Sequence, residues 1–134
     1  MTAKSSGFTL IELLVVVAIL GVLSAVGIRS YSGYIKSSER KAAENIMQQI
    51  SLGQTEYYSA NGTYYSATGS DCTPTSTTST AIETNVLGGA DSISSDLGFE
   101  MCIYLDTSNY MIKSKSGDCE ITMTAHGTFT RTKC

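Results

Sequence analysis

Residues 8–28, FTLIELLVVVAILGVLSAVGI, form an apolar stretch whose one charged side chain is Glu12. At about 1.5 Å of rise per residue the stretch makes a helix of roughly 31 Å. The hydrocarbon core of a bilayer is about 30 Å thick, so the segment fits one membrane crossing. An ionised carboxylate inside such a segment costs about 2.5–3.5 kcal/mol on insertion scales and ordinarily has a partner. No other side chain of the segment offers one. The expected partner is therefore a group created by processing or carried by another copy of the chain. A glutamate snorkelling toward the headgroups is the plainer alternative.

Only MTAKSSG precedes the apolar stretch. A secretory signal peptide is cleaved after its apolar region, at small residues. Here the small residue Gly7 stands before that region. Ser24, Ala25 and Gly27 offer a conventional-looking cleavage site and keep that alternative open.

The run GFTLIELLVVVAILGVLSA is similar to the class III signal and N-terminal helix of type IV pilins. The resemblance is strong over residues 4–35. It is weaker as far as Tyr65, where SLGQTEYYSANGTYY resembles the helix end of minor-subunit pilins. It implies cleavage between Gly7 and Phe8 by a prepilin peptidase, methylation of the new Phe8 amine and retention of the helix. It further implies that Glu12 faces the Phe8 amine of a neighbouring subunit. Two buried opposite charges offset each other's desolvation, whereas one alone is costly, so such a pair sets the axial register. Leu10, Leu13, Val16, Val17, Leu20 and Leu23 would then pack the filament core. The chain departs from the family at Arg29, where many relatives carry a kinking proline. Its one proline is Pro74, so the helix is expected to be straighter than usual, with Gly21, Gly27 and Gly33 as weak points.

The apolar pattern becomes periodic after Tyr31, through Tyr34, Ile35, Ala42, Ile46, Ile50, Gly53 and Tyr57, at steps of mostly three, four and seven. Lys36, Glu39, Arg40, Lys41, Glu44 and Gln48 fall on the other side. This predicts an amphipathic continuation of the helix to about Ala60, stopped by Asn61-Gly62. Gly53, in the stripe, is expected to let the sheet approach closely. Residues 66–95, rich in Ser, Thr, Gly and Asp, read as a long surface loop.

The last 38 residues alternate as strands. Phe99, Met101, Ile103 and Leu105 share one face, as do Tyr110 with Ile112 and Cys119 with Ile121, Met123 and Ala125. Turns at Thr107-Ser108, Ser116-Gly117-Asp118 and His126-Gly127 join them as hairpins. The fold class is thus α+β: a long N-terminal helix packed on a four-stranded antiparallel β-meander. The expected parts are a leader at 1–7, a membrane and filament-core helix at 8–30, an amphipathic half at 31–60, a connecting loop at 61–96 and the sheet at 97–134.

A two-residue turn at His126-Gly127 sets Ala125 opposite Thr128, Ile121 opposite Thr132 and Cys119 opposite Cys134. Directly opposite residues lie about 4.5–5.5 Å apart at Cα, within disulfide reach. This predicts Cys119–Cys134, similar to the carboxy-terminal disulfide loop of pilins, and by subtraction Cys72–Cys102. Four cysteines allow three connectivities. Reduced cysteines or a metal site are the alternatives, and one histidine with no paired spacing argues against metal.

Net charge is −3, which gives no global grip on nucleic acid. Cysteines without C-x-x-C spacing suit an oxidising compartment. The positive-inside rule conflicts with an N-inside orientation, since Lys4 flanks one end and Arg29, Lys36, Arg40 and Lys41 flank the other. Orientation rests on the resemblance and the cysteines. His126 has no nucleophile to serve, no phosphate loop follows a strand, and the carboxylates are scattered. No enzyme and no cofactor is expected. Lys113, Lys115, Arg131 and Lys133 are expected on the outer sheet face, where DNA contact competes with mere solubility.

The resemblance therefore implies a structural subunit of a type IV pilus-like filament, homo-oligomeric or mixed. It would wait in the inner membrane and be assembled by dedicated machinery into an extracellular fibre for adhesion, surface motility or DNA uptake. The alternatives are a type II secretion pseudopilin and a membrane-tethered binding module that never polymerises.

Overall fold

The computed structural model describes residues 7–93 and 97–134. The first six residues of the expected leader, Lys4 among them, and the last three of the expected connecting loop lie outside the described residues. The order of elements is α1 (Leu10–Asn61), α2 (Ser76–Asn85), β1 (Glu100–Asp106), β2 (Asn109–Ser116), β3 (Cys119–Thr124) and β4 (Phe129–Thr132). The chain divides into two compact units, residues 1–37 and 38–134.

In the first unit α1 begins where Thr9 and Glu12 satisfy its opening amides. Glu12 accepts from Thr9 N (2.9 Å) and Thr9 Oγ1 accepts from Glu12 N (3.2 Å). This reciprocal pair is the capping box S/T-x-x-E. Beyond it the helix runs without a break through Gly21, Gly27 and Gly33. An 18-residue window of α1 is long and apolar enough to cross a membrane, and none of it is buried.

In the second unit the remainder of α1 lies against an antiparallel sheet of order β1-β2-β3-β4. The long helix and four-stranded meander make the α+β fold that the sequence predicts. Ala43, Met47, Ile50 and Gln54 are the fully buried positions of the helix. The stripe is therefore displaced by about one residue from the predicted one: Tyr34 is exposed, and Ala42 and Ile46 only flank the core. Gln54 explains the misreading. It looks polar, yet it is hidden because its amide clamps the backbone of Tyr65, donating to the carbonyl and accepting from the N–H, each at 2.8 Å. Asn61 ends the helix and Gly62, at φ +77°, turns the chain left-handed.

Residues 76–85, predicted as loop, form α2. Thr75 is its N-cap, accepting from Thr78 N at 3.1 Å while Thr78 Oγ1 accepts from Thr75 N at 2.8 Å. The hydroxyl-rich composition that suggested a loop is spent on helix backbone, as Thr80 bonds the Ser76 carbonyl and Thr84 the Thr80 carbonyl, each at 2.9 Å. Ile82 enters the core. The same hydroxyls cover the outer edge of β1. Thr78 donates to the Met101 carbonyl (2.8 Å) and Ser79 accepts from Met101 N (2.9 Å). Bridges from Thr68 to Tyr104 and from Thr75 to Met101 extend that cover. An unpaired strand edge is an invitation to foreign strands, and here it is occupied.

The β3–β4 register corrects the prediction. Ile121 faces Arg131 and Glu120 faces Thr132, one residue out from the expected pairing. The hairpin closes through three residues, Ala125 to Gly127, with Thr124 N bonded to Thr128 O at 3.0 Å and Gly127 at φ +87°. A three-residue loop with glycine in the left-handed position is a favoured hairpin connection. Cys134 still reaches Cys119, at a Cα separation of 4.5 Å. It lies past the end of β4, and Lys133 at φ +55° redirects the chain toward the neighbouring strand.

Gly53 does sit at a close approach, but to α2 and not to the sheet. A Cβ there would lie 2.5 Å from the carbonyl oxygen of Val86, the residue that caps α2.

Candidate functional site

Two regions carry the residues singled out in the sequence. The first is the head of α1. Gly7, Phe8 and Thr9 precede the helix, and the Phe8 side chain is 81% exposed. Leu10, Leu13, Val16, Val17, Leu20 and Leu23 are each at least half exposed. At about 100° per residue they occupy roughly 140° of the helix circumference, and Glu12 lies at the border of that face. Ser24 falls within the same face, and its hydroxyl is satisfied by donating to the Leu20 carbonyl (2.6 Å).

Glu12 has a partner that sequence reasoning missed. The Thr9 N–H belongs to its own chain and needs no other copy. The signal was present as T-L-I-E at positions 9–12, the capping-box spacing. The bond uses one carboxylate oxygen, Oε2. The other, Oε1, makes no hydrogen bond among the described residues. The site thus combines an apolar face, an exposed chain end at Gly7-Phe8 and a carboxylate half engaged by backbone.

The second region is the outer sheet surface with the cysteines. The structure joins Cys72 to Cys102 and Cys119 to Cys134. Cys102 stands on the outer face of β1 yet is fully buried, because the chain around Cys72 lies over it. Lys113, opposite Cys102 on β2, ties that cover down. Its ammonium donates to Asp71 Oδ1 (2.6 Å) and to the Cys72 carbonyl (3.2 Å), and it lies 5.5 Å from the centre of the Tyr104 ring. The hydrogen bond from Lys113 holds the Asp71 carboxyl below the usual carboxylate range, and the same bond raises the lysine above its ordinary value.

The expected basic patch does not form as predicted. The register change turns Arg131 to the inner, helix-facing side, where it pairs with Glu44 of α1 (Nε to Oε1, 2.6 Å). Arg40 reaches the same strand end, donating to the Cys134 carbonyl at 2.9 Å. Lys113 is committed to Asp71. Lys115 stands opposite both Glu100 and Glu120 on the flanking strands. Lys133 stands past the end of β4 and lies exposed. Among the described residues no group of three His, Cys, Asp or Glu is arranged to hold a metal ion.

A family model described as the prokaryotic N-terminal methylation motif matches residues 2–28. The fimbrial protein EcpC of Eikenella corrodens is 40% identical over 58 residues, or 43% of this chain and 38% of that protein. The type IV major pilin protein PilE1 of Neisseria gonorrhoeae is 37% identical over 62 residues, or 46% of this chain and 38% of that one. The type IV major pilin protein PilA of Myxococcus xanthus is 33% identical over 61 residues, covering 46% and 28%. The chain thus spans under two fifths of the length of these relatives. No solved structure matches it. The methylation motif stands at the head of an exposed apolar helix, and over its N-terminal part the chain is similar to type IV pilins.

Proposed function

We propose that this chain is a structural subunit of a type IV pilus-like filament. The observation that carries the reading is the geometry at the head of α1. Glu12 spends Oε2 on Thr9 N and leaves Oε1 without a hydrogen bond among the described residues, at the border of an exposed apolar face. Cleavage between Gly7 and Phe8 would create an amine one turn from Glu12. Methylation would leave it cationic, and a neighbouring subunit would present it to the free oxygen. An isolated buried charge is costly and a paired one much less so, so only the register that aligns amine and carboxylate is favoured. The apolar face of Leu10, Leu13, Val16, Val17, Leu20 and Leu23 then exchanges lipid for the same face of other copies.

In this reading the precursor crosses the inner membrane once and is cut by a prepilin peptidase. Assembly machinery then draws it into an extracellular fibre, alone or mixed with other pilins. Adhesion and surface motility are roles such a fibre would serve. DNA uptake has less support here, because Asp71 and Glu44 engage two of the four cations expected to contact phosphate.

Mass spectrometry of the exported chain tests the processing step. Loss of residues 1–7, one methyl group on Phe8 and four hydrogens lost to two disulfides are expected. An intact Met1 on exported material would overturn it. Glu12→Ala tests assembly: a filament subunit should polymerise poorly while remaining membrane-inserted, whereas a tethered binding module should be unaffected.

A further inference from the structure

The glycine that stops α1 follows an asparagine, and the pair carries a chemistry of its own. The chain has four asparagines. Asn45, Asn85 and Asn109 precede Ile46, Val86 and Tyr110, whose side chains crowd the amide nitrogens that follow. Asn61 precedes Gly62. Both residues are exposed, and a Cβ at Gly62 would meet nothing within 4 Å. In such a pair the Gly62 amide nitrogen, once base has taken its proton, attacks the carboxamide carbon of Asn61. The new C–N bond closes a five-membered imide, the Cγ–Nδ2 bond breaks, and that nitrogen leaves as ammonia. Water then opens the ring at either carbonyl, giving aspartate or isoaspartate. Water and base are the only co-reactants.

The fold holds both reacting groups. Gly62 N donates to the Tyr58 carbonyl at 2.7 Å, which keeps its proton in place. Asn61 Nδ2 donates to the Tyr57 carbonyl at 3.1 Å, which draws the carboxamide back along the helix. Both acceptors lie in the last turn of α1, so both bonds go when that turn opens, and fraying ends open most readily. Nor is the glycine freely replaced. At φ +77° it makes the left-handed turn that stops the helix.

The product fits the closed turn less well. A carboxylate has no donor for the Tyr57 carbonyl. It would stand at the negative end of the helix dipole, with Glu56 on the lining of the same open hollow of about 300 Å³. We propose that Asn61-Gly62 is a deamidation site gated by the last turn of α1, and that the charge gained there keeps the turn open.

Peptide mapping by mass spectrometry tests it on the full-length chain in detergent micelles, at mildly alkaline pH, with and without guanidinium chloride. Asn85 is the internal control. It is exposed and donates Nδ2 to the Ala81 carbonyl at 2.7 Å at the end of α2, but Val86 follows it. In the denatured chain Asn61 should deamidate several-fold faster than Asn85, which the branched valine shields. In the folded chain the Asn61 rate should fall about tenfold or more, since two hydrogen bonds suffice for that. Ala60→Gly weakens the last turn without touching either reacting group. It should raise the folded rate about fivefold and leave the denatured rate unchanged. Asn61→Asp stands in for the product, and amide hydrogen exchange at Gly62 should quicken about fivefold in it. Near-UV circular dichroism checks the fold of each variant. Equal Asn61 rates in folded and denatured chains, equal rates for Asn61 and Asn85 in denaturant, or a folded rate unmoved by Ala60→Gly overturns the gate. Unchanged exchange in Asn61→Asp overturns the effect of the charge. Should Ala60→Gly not fold, the unaltered chain compared folded and denatured decides the gate alone.

Discussion

Phe8 and Leu10 are each 81% exposed, whereas Met47, Ile103, Ile112 and Ile121 are fully hidden. The two units of one chain thus treat apolar side chains in opposite ways. The first leaves its apolar side chains uncovered by the rest of the chain, and a helix apolar all round has no face to give to water. The second closes its own core and adds two disulfides and cross-element ion pairs. Specificity follows the same division. In the proposed filament one carboxylate of the first unit would set register, whereas in the second unit many small contacts decide one structure.

That contrast breaks if changes in the second unit disturb insertion of the first. Replacing Cys72 and Cys102 together by serine should have the largest effect, about 2–4 kcal/mol off the unfolding free energy of the second unit. Membrane insertion of residues 8–28 should not change. Denaturant titration followed by near-UV circular dichroism reads the first quantity, and carbonate extraction of membranes reads the second. Gly53→Ala comes next. Alanine is the better helix former by about 1 kcal/mol, yet its Cβ would meet the Val86 carbonyl and side chain. The predicted net result is a loss of about 1–3 kcal/mol. A gain in midpoint would mean that α2 is free to move away.

The smallest effect sharpens the comparison by pH. Asp71 has its carboxyl held down by Lys113, so the pair's contribution is present above the unfolded carboxyl's pKa of about 3.9. It is lost as pH falls through the lower folded value. Lys113 is raised, so its share is present below an unfolded value of about 10.4 and is lost as pH rises through the folded one. Asp71→Asn should remove the acid-side dependence and change little at neutral pH, since Asp71 is exposed. Thermal melts of both chains between pH 2 and 7 would show the difference, and parallel curves would refute it.

The apolar helix was legible because some twenty apolar residues in a row have few alternatives, and the strands because alternation survives even where Cys102 turns outward into a buried contact. What was not legible has a physical pattern. Thr75, Thr78 and Ser79 read as loop residues because hydroxyls commonly compete with helix backbone; here they cap α2 and satisfy β1 instead. Gln54 hid the true stripe because its burial depends on a backbone 11 residues away. The β3–β4 register turned on whether one glycine would close a two- or a three-residue loop, and Arg131 changed faces with it. The Glu12–Thr9 pairing was readable at once from its spacing and was obscured by attention to side-chain partners alone.

The occupied edge of β1 has a consequence wherever copies of this chain crowd together. With α2 and Thr68 seated along that border, each copy offers a foreign strand β4 as its one open side among the described elements. Two copies that met edge to edge would use up both openings and stop. Sheet-to-sheet growth could not run on into a ladder, so any longer order would have to come from another part of the chain.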